Sequence, residues 1–153
     1  MNIKRSDRLT EKELKQYQSL KREIINQEKR IDALRDKEIP VVAGKVNSSM
    51  KMHPYTAIRV GVQMEDPIES QEIRELIAKK QKRIVELRRL VLEIEDFIKV
   101  IPESDLRQIF EYRFVDGKSQ LEIGSLLHLD RSRISRKIRE YLQDAHKAQK
   151  NVI

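Results

Sequence analysis

A chain of 153 residues has room for one ordinary domain or two small ones. With 37% charged residues, 5% aromatics, no Trp, four Gly and four Pro, it reads as mostly helical with a thin core, better suited to an elongated protein or an oligomer than to one compact body. The formal net charge of +7 favours an anionic partner such as nucleic acid, and the absence of Cys excludes disulfides, thiolate zinc sites and cysteine nucleophiles.

In chain order, the first six residues, Met1 to Ser6, lead into no apolar signal core. No apolar run anywhere approaches the about 20 residues that span a bilayer. The expectation is a cytoplasmic protein with no membrane contact. From Thr10 to Glu38 the chain reads as one long helix: Thr10 and Glu13 have the spacing of a capping box. Tyr17, Leu20, Ile24, Gln27, Ile31 and Leu34 then alternate steps of three and four, as in a coiled-coil seam. Pro40 ends it, because the residue before a proline avoids the α region.

Ile39 to Glu65 has a different composition. Ile58, Val60, Val62 and Met64 alternate with Ala57, Arg59, Gly61 and Gln63, a period of two that indicates strand. A β-hairpin, or two short strands, is expected at residues 39–66. A second long helix runs from Pro67, capped by Asp66, to about Val100. Ile73, Ile77, Lys80, Ile84, Leu87, Val91, Ile94, Ile98 and Ile101 hold a four-three alternation, broken in character only by Lys80. Leu76, Leu90 and Phe97 widen that seam. The two long helices are expected to pair as an antiparallel hairpin within the chain and also to self-associate, making a homo-oligomer. The basic cluster Lys79, Lys80, Lys82, Arg83, Arg88 and Arg89 reads as a solvated face with i,i+4 glutamates.

Three shorter helices follow. The first runs from Ser104 to Val115 and stops at Asp116-Gly117, a turn signal. The second starts at Ser119, which makes a capping box with Glu122, and ends near Leu127. After a turn at His128-Leu129, Asp130 caps a third helix from Arg131 to about Lys147. Ile134, Ile138, Tyr141 and Leu142 share one face of it and are expected to pack on Ile123, Leu126, Leu106, Ile109 and Phe110. Gly124 sits where a close approach is expected. The opposite face carries Ser132, Arg136 and Arg139, with Arg133 and Ser135 at its edges.

Between Arg131 and Arg139 lie five basic residues and no acid. Arginine forks match guanine edges, and Arg, Lys and Ser hold phosphates. The candidate DNA-binding residues are therefore Arg131, Ser132, Arg133, Ser135, Arg136, Lys137 and Arg139, with Ser119 and Gln120 at a helix N-terminus whose backbone N–H groups suit a phosphate.

At these residues the chain resembles region four of primary sigma factors. The likeness lies in Asp105-Leu106 through Phe114, Asp116-Gly117-Lys118-Ser119, Leu121-Glu122-Ile123-Gly124, Leu127 and Arg131 through Ile138. Similar helix-turn-helix motifs occur in LuxR-type output domains. The whole layout, a long helical N-terminal half before a sigma-like unit, resembles phage and prophage late regulators of the RinA and ArpU type. That resemblance implies promoter DNA as partner, RNA polymerase or another regulator as a second, and a bacterial cytosol or phage-infected cell as the setting. His128 departs from the family pattern, whose turn usually has Gly there; the aromatic-rich portion with which sigma factors melt DNA is absent, which argues against a self-sufficient sigma factor.

The expected fold is mainly α: a long antiparallel helical, coiled-coil hairpin with a small β-hairpin tip over residues 1–101, then a helix-turn-helix bundle over 102–153. The expected function is a sequence-specific transcription regulator. The alternatives are a small terminase-like DNA-packaging subunit and a non-enzymatic interaction adaptor. No enzymatic activity, cofactor or metal is expected. His53, His128 and His146 lack ligand spacing, Gly44-Lys45 lacks the rest of a P-loop, and Asp66 and Glu69 read as helix-start residues rather than an acid/base pair.

Overall fold

The computed structural model describes residues 9–49 and 57–150. Among these the chain is mainly helical, with one two-stranded antiparallel sheet. The elements are α1 (Glu11–Leu14), α2 (Tyr17–Arg35), β1 (Val41–Ser49), β2 (Ala57–Glu65), α3 (Pro67–Lys99), α4 (Ser104–Phe110), a π-helical segment (Glu111–Val115), α5 (Gln120–Leu127) and α6 (Arg131–Lys150). Packing divides the chain into two units. One takes residues up to Asn26 and from Ile84 onward; the other is Gln27–Arg83.

In the second unit the β1–β2 register runs from Val41 opposite Glu65 to Ser49 opposite Ala57. The Asp66 N–H closes the base of the hairpin on the Pro40 carbonyl at 2.9 Å. The expected strand residues Tyr55 and Thr56, and His53, lie outside the described residues. Asp66 starts α3 as expected: its Oδ1 accepts from the N–H groups of Ile68 (2.9 Å) and Glu69 (3.4 Å). A Lys37–Glu69 ion pair at 2.6 Å joins the end of α2 to the start of α3, so the two run antiparallel here. Ile31 and Ile73 are this unit's buried seam residues. Gln27 interrupts the seam, and its Oε1 is buried with no hydrogen-bond partner among the described residues.

In the first unit the expected helix over 10–38 is broken. Thr10 does form the capping box with Glu13, but on the four-residue α1. Lys15 and Gln16 then make a turn in which the Gln16 N–H reaches back only three residues, to the Glu13 carbonyl. At the other end α2 stops at Arg35, ahead of Pro40, because the chain must already be extended as it enters β1. Leu14, Tyr17, Leu20 and Ile24 are buried, as are Ile84, Leu87, Val91, Ile94 and Ile98 of α3. Leu20, Leu90 and Ile94 line one crevice, and Tyr17 bonds Glu95, so α2 and α3 are antiparallel here too.

Packing groups the C-terminal end of α3 with the helices that follow it. The reason is aromatic. Phe97 of α3 stacks at 6.3 Å from Phe110 of α4 and 6.1 Å from Tyr141 of α6, and Phe110 also meets Phe114 and Tyr141 at 5.4 and 5.5 Å. These tilted and edge-on pairs tie α3 to the three C-terminal helices in one core. Ile101, Leu106, Ile109, Ile123, Ile134 and Ile138 complete it.

Candidate nucleic-acid interface

The C-terminal unit is built from its turns. α4 does not run on to Val115 as a regular α-helix. Its last stretch widens into a π-helix, with the Asp116 N–H bonding the Glu111 carbonyl five residues back. The turn after it is held from two sides. Arg113 donates to the Lys118 carbonyl at 3.0 Å, and Gln18 of α2 donates its side-chain amide to the Val115 carbonyl. Gly117 takes φ +71°, a left-handed conformation suited to glycine. Arg113 and Gln18 were not foreseen from sequence; neither belongs to a pattern that marks a residue aimed at a distant carbonyl.

Ser119 then caps α5. Its hydroxyl accepts from the Glu122 N–H at 3.2 Å, while its own N–H donates to the Glu122 carboxylate at 2.7 Å. The bond from the Ser119 N–H, then that from its hydroxyl, hold the Glu122 carboxyl below its usual range. Ser119 therefore spends its N–H on the box, which leaves those of Gln120 and Leu121 as the donors with no partner among the described residues. Here the expectation of two donors at Ser119 and Gln120 shifts by one residue.

α5 ends at His128, which takes the left-handed conformation (φ 53°, ψ 43°) while its N–H bonds the Gly124 carbonyl. Gly124 is buried, and a Cβ there would lie 2.5 Å from the Leu129 carbonyl oxygen. The close approach expected at Gly124 is thus to the turn itself. The Asp130 carbonyl accepts from the N–H groups of Arg133 (3.0 Å) and Ile134 (3.1 Å) to start α6.

α6 buries Ile134, Ile138 and Leu142. Leu126 was expected beneath them, yet it is 52% exposed; Ile123 and Gly124 supply the α5 side of the core instead. Arg131, Ser132, Arg133, Arg136 and Arg139 are exposed, and Ser135 is half-buried. Among the described residues none of the four arginines is in an ion pair. Lys137 is placed differently: its ammonium lies 2.8 Å from the Glu103 carboxylate at the start of α4. The site thus brings together four uncompensated guanidiniums on one helix with a capped helix start nearby in sequence. Among the described residues no group of His, Asp or Glu is arranged to hold a metal ion, and no helix is long and apolar enough to cross a membrane.

No family model matches the chain, and no solved structure matches it. A stretch of 69 residues is 32% identical to the bacteriocin UviA of Clostridium perfringens, covering 45% of this chain and 37% of that protein. The chain thus spans well under half the length of that relative.

Proposed function

We propose that the chain is a sequence-specific DNA-binding regulator of transcription, of phage or prophage type, that reads the major groove with α6. In this reading α5, the His128–Leu129 turn and α6 are a helix-turn-helix of the sigma region four kind. The supporting observation is that Arg131, Arg133, Arg136 and Arg139 stand exposed, without ion-pair partners among the described residues, on a helix whose other face is buried. An uncompensated row of guanidiniums on a rigid helix matches guanine edges and phosphates. The RinA or ArpU likeness, a homo-oligomer formed through α2 and α3, and RNA polymerase as second partner belong to the same proposal.

Arg133→Ala combined with Arg136→Ala tests it, in a titration against genomic DNA fragments at several salt concentrations. Loss of a base contact costs about 1–3 kcal/mol, and loss of each phosphate contact lowers the salt slope by about one. Lys137→Ala is the internal comparison, because its charge is already spent on Glu103. Unchanged affinity and slope in the double variant would overturn the reading. Solution mass separates a regulator, expected as a monomer or dimer, from a packaging ring of many subunits.

A further inference from the structure

The basic row of α6 continues past Arg139. Two more turns carry Leu142, Gln143, His146 and Lys147 beyond Arg139, at the three- and four-residue spacing that keeps side chains on adjoining faces. With Thr10 and Glu11 at the start of α1 they line a shallow, open cleft of about 380 Å³. Leu142 is its buried apolar residue. Around it stand Arg139, His146 and Lys147, none in an ion pair among the described residues. The one acid of the lining, Glu11, is paired with Lys15 at 2.8 Å. The cleft is therefore apolar at its base and net basic at its rim.

We propose that this cleft docks an acidic peptide segment of a partner protein, one that places an apolar side chain against Leu142 and carboxylates beside Arg139, His146 and Lys147. Charge complementarity selects the sign of the partner. The lining is mostly apolar, from the edge of Leu142 and the aliphatic stems around it, which favours a peptide carrying a Leu or Phe flanked by Asp or Glu over a phosphodiester backbone. The aliphatic stems of Arg139 and Lys147 extend the apolar wall while their heads stay in water. The inference rests on the cleft alone and does not require that α6 read DNA.

The experiment uses the full chain, isotopically labelled, titrated with a synthetic acidic peptide of interspersed Asp, Glu and Leu and followed by NMR. Two controls accompany it: the same peptide with every Leu replaced by Ser, and a short random-sequence DNA duplex. Shifts are expected at Thr10, Glu11, Gln143 and Lys147, with little binding of the Leu-free peptide. His146→Glu combined with Lys147→Glu, which removes one cation and adds two carboxylates, each change worth under about 1 kcal/mol at an exposed rim, is expected to weaken binding about tenfold. Neither residue lies in the core, and a retained thermal transition shows that the variant folds. The proposal fails if the peptide does not bind, if the shifts map elsewhere, if the double variant binds as well as the parent, or if the duplex gives the same shifts and displaces the peptide.

Discussion

The Tyr17 hydroxyl donates a 2.6 Å hydrogen bond to the Glu95 carboxylate across 78 positions of sequence. Tyr17 is 4% exposed. Burial first, then the bond to Glu95 and the charges of Glu95 and Asp116, push its pKa from 10.0 up to about 12. The proton is bound more tightly in the folded chain than in the unfolded one. The linked stability is fully present below pH 10 and is lost as pH rises from there towards about 12. Tyr17→Phe is expected to cost about 1.5–3 kcal/mol at neutral pH, the range for a hydrogen bond to a charged group. It should also flatten the alkaline loss. Urea midpoints measured across that pH window check both.

Gly124→Ala is expected to destabilise. Alanine ordinarily improves a helix interior by about 1 kcal/mol over glycine. Here the new Cβ would stand 2.5 Å from the backbone oxygen of Leu129, so the turn between α5 and α6 must move. Overpacking of that kind costs about 1–3 kcal/mol and wins over the propensity gain. A fall in thermal midpoint is the expected outcome; a rise would show that the turn yields freely.

His128→Gly is expected to act in the opposite direction. At φ 53° the histidine Cβ is crowded against its own carbonyl. Removing it should stabilise by about 1 kcal/mol, less the extra freedom that glycine gives the unfolded chain. Denaturant midpoints decide the sign.

Ser119→Ala removes one half of the α5 capping box and should cost about 1 kcal/mol. Its second signature is pH dependence. Because Glu122 is held below its usual value of 4.5 in the folded chain, its contribution is present above that value and is lost as pH falls through the folded one. The variant should show a shallower acid loss than the parent in paired urea melts at neutral pH and at about pH 3.

The parts of the fold that could be read in advance are those set by local chemistry. Both capping boxes, the Asp66 start of α3 and the left-handed strain at His128 depend on residues within a few positions of one another. The apolar spacing of Ile134, Ile138 and Leu142 likewise needed only the helical period. What escaped was decided by distant partners. Leu126 has the right spacing to be buried, but Ile123 and Gly124 make the α5 side of the core and Leu126 stays exposed. Lys137 belongs by position to the basic row of α6, and its pairing with Glu103, 34 positions earlier, is a contact that local spacing does not encode. The cleft at Arg139, His146 and Lys147 was not legible either, because Thr10 and Glu11, which close it, lie at the other end of the sequence.

The amide of Gln18 on the Val115 carbonyl bears on how freely the C-terminal helices can be transplanted. That carbonyl belongs to the turn ahead of α5, and its donor comes from α2 rather than from the three helices themselves. A graft of residues 102–153 onto another protein leaves behind Gln18, Phe97 and Ile101 together. The excised piece would carry every arginine of α6 but not the brace that orients the turn. In this chain the three C-terminal helices are not a detachable cassette, and a hybrid protein has to take α2 and the C-terminal end of α3 with them.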